Sequence, residues 1–334
     1  MPPRPTIVCG SNYGRVYVPA IRALPDELTL VGLLARGSPR STALAAEEGV
    51  PLFVDPDDLP EDVQVACVAV PSAETELIPR LLDRGIHVLS DHPVAVDSVS
   101  RSLRNARQRE RVFHVNPHFS ALEAPRAFIQ GCRTLSTEVR PLFVDLFTAD
   151  RMLYAALDTL RQALGPLGAL ALGRGSVEGP IHTLHGRVAD VPCSIRAQGP
   201  HAGGGAVGAG GESPDHPTSD PRDELPDGSP GYFADLRLSV SFPMGTLTLL
   251  SLSGPVTWTW TFTRALPADP DLTPSLLHEG VSAGRLGRQR EEANIEFLQA
   301  LLDCAGGAAP PPHQDPDHLL DLARAWEHLG RVLT

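Results

Sequence analysis

The chain has no lysine; all 28 of its Lys/Arg-type residues are arginine. That absence removes the amine from the list of catalytic groups and leaves histidine as the side chain whose ordinary pKa lies nearest neutrality. Cysteine is sparse: Cys9, Cys67, Cys132, Cys193 and Cys304 are scattered, with no C-x-x-C spacing. Neither a disulfide frame nor a zinc site is expected. Long apolar runs are missing as well. No segment approaches the ~18 consecutive apolar residues of a membrane span, and Met1-Pro2-Pro3-Arg4-Pro5 has no signal-peptide apolar stretch. A cytoplasmic location is the expectation. Clustered positive charge is absent too, and a formal net charge of −12 argues against nucleic acid as a partner.

What is present is a globular composition, 42% hydrophobic and 20% charged, in 334 residues. That is enough chain for two domains of ordinary size. From the start to about residue 118, short apolar runs alternate with amphipathic stretches: strands at Thr6–Cys9, Leu28–Leu34, Pro51–Phe53, Val65–Val70, His87–Ser90 and Phe113–Asn116, and helices at Arg15–Leu24, Arg40–Glu48, Glu74–Arg84 and Val96–Glu110. Continuous apolar strands between helices imply a doubly wound parallel sheet of Rossmann type. Beyond a helix near Ala121–Cys132 the strands lengthen and begin to alternate, which suits an open, mainly antiparallel sheet in an α+β domain. This second domain is expected over 119–334, with a helix at Met152–Leu164 and two more at Arg288–Cys304 and His318–Leu333. The segment 199–231 is rich in Gly, Pro, Asp and Ser and is read as a flexible insertion.

The first strand runs into Gly10-Ser11-Asn12-Tyr13-Gly14-Arg15, a glycine-punctuated turn that opens a helix. Such a turn can carry a pyrophosphate on backbone N–H groups, although G-x-x-x-G is only part of the usual fingerprint. The second strand should end in an acid if it is to hold the ribose hydroxyls of NAD. Here it ends in Ala35-Arg36-Gly37-Ser38, followed by Arg40 and Ser41. A guanidinium accepts no hydrogen bond from a hydroxyl but pairs well with a 2′-phosphate, so NADPH is the expected cofactor. Val70, Pro71 and Ser72, after the fourth strand, and His92-Pro93, after the fifth, complete the expected cofactor contacts.

His92 follows a strand whose carboxyl end should face the nicotinamide, where a histidine can protonate a developing anion; the alternative is a loop histidine that caps the next helix. His118, after the last strand of the domain, faces the same cleft and either donates a proton or bonds a carbonyl. Tyr154 and Asp158, four apart on one helix, share a face and either bind substrate or pack. A proton donor of this kind is what hydride addition to a C=N or C=O requires.

These pieces together resemble a known group of enzymes. The domain order, the strand-end triplet before a proline and the open second sheet are similar to the glucose–fructose oxidoreductase/inositol dehydrogenase superfamily. There the triplet is commonly Glu-Lys-Pro; here it is Asp91-His92-Pro93. Within that superfamily the chain looks most like the thiazolinyl imine reductases of siderophore assembly lines. The matching pieces are Val8-Cys9-Gly10 with Tyr13-Gly14-Arg15, Leu33 to Ser38 with Arg40-Ser41, Gly85 to Leu89 into His92-Pro93, Leu153-Tyr154 with Leu157-Asp158, and His313-Gln314 with Leu319 to Trp326. The resemblance implies NADPH-dependent reduction of a thiazoline C=N to a thiazolidine on an intermediate tethered to a carrier protein of a nonribosomal peptide synthetase, by a homodimer. It also implies a histidine at the position of His92 and a tyrosine near residue 119 as proton donors. That tyrosine slot holds Phe119, with His118 beside it. The superfamily's Asp and His four apart correspond to Asp158 and Gln162.

Overall fold

The computed structural model describes residues 2–71, 76–168, 170–173, 175–179, 181–198, 236–261 and 275–333. The glycine-rich segment expected to be a flexible insertion, and Ser72, lie outside the described residues.

The first domain is a six-stranded parallel sheet built from β1 (Arg4–Cys9), β2 (Leu28–Leu34), β3 (Leu52–Phe53), β4 (Val65–Val68), β5 (His87–Asp91) and β6 (Phe113–Asn116), in the order β3-β2-β1-β4-β5-β6. Its helices are α1 (Tyr17–Arg22), α2 (Pro39–Glu48), α3 (Leu77–Asp83) and α4 (Val96–Arg109). The central strands are apolar because both faces are covered: Ile7, Val8, Val65, Ala66, Val88 and Leu89 are fully buried. Strand order reverses between β1 and β4, and the crevice at their carboxyl ends is where doubly wound sheets hold ligands.

The first helix starts differently from its sequence pattern. Gly14–Val16 forms a 3-10 turn, and the α-helix proper begins only at Tyr17. Pro19 explains this: it has no N–H to return to Arg15, so the α-helical ladder cannot extend back over that turn.

The second domain contains α5 (Glu123–Ser136), β7 (Phe143–Ala149), α6 (Leu153–Leu164), β8 (Ala171–Gly173), β9 (Val177–Glu178), β10 (Ile181–Val188), β11 (Val191–Gln198), β12 (Leu236–Phe242), β13 (Gly245–Leu249), β14 (Val256–Trp260) and β15 (Ser275–His278). The sheet runs β15-β14-β13-β12-β7-β11-β10-β8, with β9 also on β10. It is mixed: β7 and β11 are parallel, and the other pairs are antiparallel. Alternation along β12 buries Leu236, Leu238, Val240 and Phe242 under the helices and turns Arg237, Ser239 and Ser241 outward. The β10–β11 hairpin closes on Ala189 and Asp190, both at positive φ, as a two-residue turn of matching twist requires.

The last two helices, α7 (Ala283–Ala305) and α8 (Pro316–Leu333), return to the first domain. Phe297, Leu298, Leu301 and Leu302 of α7 form one core with Val8, Val18, Leu33 and Leu89. α8 packs on α4 and α6, and its Glu327 carboxylate accepts the Val96 N–H at 2.7 Å, capping α4. Gln314, just before α8, bonds both the N–H and the carbonyl of Val115 on the edge strand β6, at 2.9 and 2.8 Å. No helix among the described residues is long and apolar enough to cross a membrane.

Candidate active site

The dinucleotide end of the crevice is set by the β1–α1 turn. Gly10 has φ +90°, and a Cβ there would lie 2.2 Å from the Ala69 carbonyl oxygen, so only glycine lets the turn lie flush on the end of β4. A Cβ at Gly14 would press on Val8 at 2.8 Å. Asn12, Tyr13 and Arg15 are exposed along the turn. After β2, Gly37 takes φ +75°, and Ser38 caps α2 by accepting the Ser41 N–H. Arg36 lies between β2 and this cap, and Arg40 sits in the first turn of α2 with no acidic partner among the described residues. Val70 and Pro71 follow β4 on the same rim. A turn that no side chain can fill, beside two arginines and no acid at the end of β2, fits a dinucleotide with an extra phosphate.

The reacting end is an aromatic and histidine cluster. His92 follows directly on β5, and its Nδ1 lies 2.8 Å from the Asn116 carbonyl oxygen. A carbonyl only accepts, so Nδ1 carries the proton and donates it, and Nε2 is the nitrogen at which the ring gains or loses a proton. Asp91 Oδ1 lies 3.4 Å from His92 Nδ1 and 3.9 Å from His118 Nδ1. Burial alone would pull His92 down. The nearby Asp91 carboxylate, the Asn116 carbonyl and Asp158 outweigh it, so the imidazole is shifted up from its ordinary value. His118 goes the other way, to about 3, through burial and the charge of His92. The two neighbours are thus split into a favoured cation and a neutral ring. Asp91, pulled down despite burial by the same His92 contact, is the counter-ion. Asp91, His92 and His118 bring ligand atoms within 4.8 Å of one another, and we read the trio as an acid with its counter-ion and a neutral neighbour.

The rings around His92 make a wall. Tyr154 stacks on it at 5.1 Å, His118 lies at 5.3 Å, and Phe119 meets it edge-on at 5.7 Å. Trp326 of α8 meets Tyr154 edge-on at 6.4 Å. Tyr154 is buried and its phenol pKa is raised by burial and by Asp158, so it stays protonated. Its hydroxyl has no partner among the described residues.

The crevice therefore gathers His92, His118 and Tyr154, as their sequence positions suggested. Asp158 is one turn deeper and engaged elsewhere: it meets His318 Nε2 at 2.9 Å and accepts from Gln162 at 2.8 Å, fully buried. His318 was not legible as a site residue, since it sits 160 positions away at the start of an ordinary amphipathic helix. Asn116 is another late addition. Its buried amide donates to the Tyr17 hydroxyl at 2.9 Å and to Asn294 at 2.8 Å, and its Oδ1 accepts the His118 N–H. It locks the loop that carries His118 while its carbonyl fixes the tautomer of His92. An asparagine at a strand end before a proline is the one sequence signal for it.

Comparison with known proteins bears on the fold. Residues 5–117 match a family model described as the oxidoreductase family with an NAD-binding Rossmann fold. Those residues are similar to the Rossmann domain of the glucose–fructose oxidoreductase/inositol dehydrogenase/MocA oxidoreductases. No curated protein sequence matches significantly. Among solved structures, the biliverdin reductase of Synechocystis sp. PCC 6803, in complex with biliverdin and NADP+, is 12% identical with TM-score 0.68, over 99% of each chain. The UDP-N-acetylglucosamine 3-dehydrogenase of Acidithiobacillus ferrooxidans is 13% identical with TM-score 0.68, over all of both chains. GenD2 of gentamicin A biosynthesis, in complex with NAD, is 14% identical with TM-score 0.67, over 100% of this chain and 95% of that one. At such identities the likeness concerns the fold.

Proposed function

We propose that the chain is an NADPH-dependent reductase of a thiazoline C=N, acting on a carrier-protein-tethered intermediate of nonribosomal peptide synthesis. The observation that carries this reading is His92: a buried imidazole whose tautomer is fixed by a carbonyl and whose cation is favoured by Asp91, in a chain without lysine. Bound NADPH would supply the hydride, its 2′-phosphate held by Arg36, Arg40 and the Ser38 hydroxyl; Ser41, expected from the sequence to join them, is buried and donates to the Ser38 carbonyl at 2.8 Å. His92 then gives its Nε2 proton to the ring nitrogen as the ring carbon is reduced, so C=N becomes a C–N single bond bearing N–H and His92 is left neutral. Asp91 lowers the energy of the cation beforehand, and Asn116 holds the ring in place. Phe119, half-buried, offers an apolar face to a flat ring, and Tyr154, buried against His92, backs the imidazole and excludes water. The outward face of the second sheet, with Phe143, Phe147 and the Ser239–Thr248 and Ser241–Thr246 pairs at 3.1 Å each, is the surface we assign to a homodimer.

A second reading, reduction of another small imine or a carbonyl, is favoured by one observation, the buried Asp158–His318 pair beside the cluster. The test follows nicotinamide absorbance with purified protein, NADPH or NADH, and 2-phenyl-2-thiazoline or small ketones. The proposal requires consumption of NADPH with the thiazoline, a preference over NADH that falls about tenfold or more in Arg36→Asp, and a loss of about 100-fold or more in His92→Gln. Turnover with ketones alone would assign the second reading.

A further inference from the structure

Beside the cleft, Arg285 of α7 and Arg126 of α5 are matched with acids, whereas Arg290 of α7 is not. Arg285 pairs with Glu123 and with Glu292 at 3.0 Å, and across the groove Arg126 holds Glu296 at 2.5 Å. Arg290 has no carboxylate partner among the described residues, in a chain with 40 acidic residues against 28 basic ones. Its place on the helix aims it at the site. It lies one turn before Asn294, on the same face, and Asn294 bonds Asn116 at 2.8 Å. The Arg290 guanidinium lies 5.2 Å over the Phe119 ring, which is 4.0 Å from His118 and 5.7 Å from His92. The residue is exposed at the mouth of the cleft, yet its charged end is desolvated enough to lower its pKa. Guanidinium keeps its charge at any physiological pH, so this is a cation held on an aromatic face with its in-plane donors unclaimed.

We propose that Arg290 forms an oxyanion subsite at the mouth of the His92 site, selecting substrates that present a carboxylate or phosphate oxygen there. The proposal rests on the reading of this crevice as a reductase site. A planar fork of donors matches a carboxylate or a phosphate bidentately, and the two ring contacts from Arg290 to His92 put the anion on the same small molecule as the reduced bond, or on the arm that delivers it. The plain alternative is that Arg290 only staples α7 to Phe119, in which case no anion preference exists.

The test uses the full chain saturated with NADPH and calorimetry with three probes: 2-phenyl-2-thiazoline-4-carboxylate, its carboxamide, and 4′-phosphopantetheine. The carboxylate should bind about tenfold or more tightly than the carboxamide, with Arg290→Met erasing the difference, Arg290→Lys keeping part of it, and NADPH affinity unchanged in both variants. An Arg290-dependent response confined to 4′-phosphopantetheine would place the oxyanion on the delivery arm. If neither anionic probe depends on Arg290, the subsite is overturned. The parent reading fails separately: anion preference without NADPH consumption would sink the reductase and leave the subsite, whereas NADPH consumption with the thiazoline, together with no Arg290 dependence for either anionic probe, would do the reverse.

Discussion

At the scale of single residues, two histidines 5.3 Å apart are given opposite tasks by one carboxylate. Asp91 sits nearer His92 than His118 and raises the His92 imidazole above its ordinary value, while burial first, and then the charge of His92, lowers His118. An acid catalyst works only while protonated, so activity should fall as pH rises through the raised His92 value, giving an alkaline limb above the ordinary histidine range. Asp91→Asn removes the main groups raising that value while burial still lowers it. The limb should therefore move to lower pH, with kcat reduced at pH 7.5 and partly restored at pH 6. A pH–rate profile of the two proteins checks this; an unmoved limb means that His92 is not the titrating acid.

At the scale of elements, the edge strand β6 shows how the site is held rigid. A parallel edge strand leaves N–H and carbonyl groups unpaired, and β6 meets Gln314, whose amide answers the N–H and the carbonyl of Val115 as one residue of a further strand would. Val115 precedes Asn116, so this contact steadies the loop that orients both His92 and His118. Gln314→Leu buries both backbone groups without partners and should cost about 2–4 kcal/mol of stability. KM for substrate should rise more than KM for NADPH, because the cofactor turn at Gly10 is remote from β6 in the sheet order. Thermal denaturation and steady-state kinetics measure the two effects together.

The element scale also shows what sequence patterning conveyed. The six parallel strands were legible because burial on both faces demands uninterrupted apolar runs such as Val65-Ala66-Cys67-Val68. The strands β8, β9 and β15 were not, being two to four residues long with exposed or half-buried side chains. They exist because a neighbouring strand offers its edge. The parallel pairing of β7 with β11 was hidden for the same reason, since alternation reports which face is buried and says nothing about the partner's direction.

For the whole molecule, the chain closes on itself. Helix α7 belongs by sequence to the second half, yet Leu298, fully buried, packs with Val8 and Leu89 of the first sheet, while α8 caps α4 through Glu327. The two domains therefore share apolar surface and should unfold together. Leu298→Ala should destabilise by about 2–5 kcal/mol and lower one cooperative transition, without splitting it. Calorimetry showing an early, separate transition for one domain would contradict that coupling.

The sequence by itself determined whatever is local or periodic: the doubly wound order, the glycine turn at Gly10 and Gly14, the arginines after β2, and the placement of His92 and His118 at strand ends. Local rules suffice there because helix and strand periods, and the φ freedom of glycine, act over a few neighbours. Tertiary structure alone decided which groups carry charge and which are held in place. Asp158 became a buried partner of His318, Asn116 a lock between α1 and α7, and Arg290 a cation facing the site. Those outcomes depend on burial and on distances between residues 99 to 178 positions apart, which no local pattern encodes.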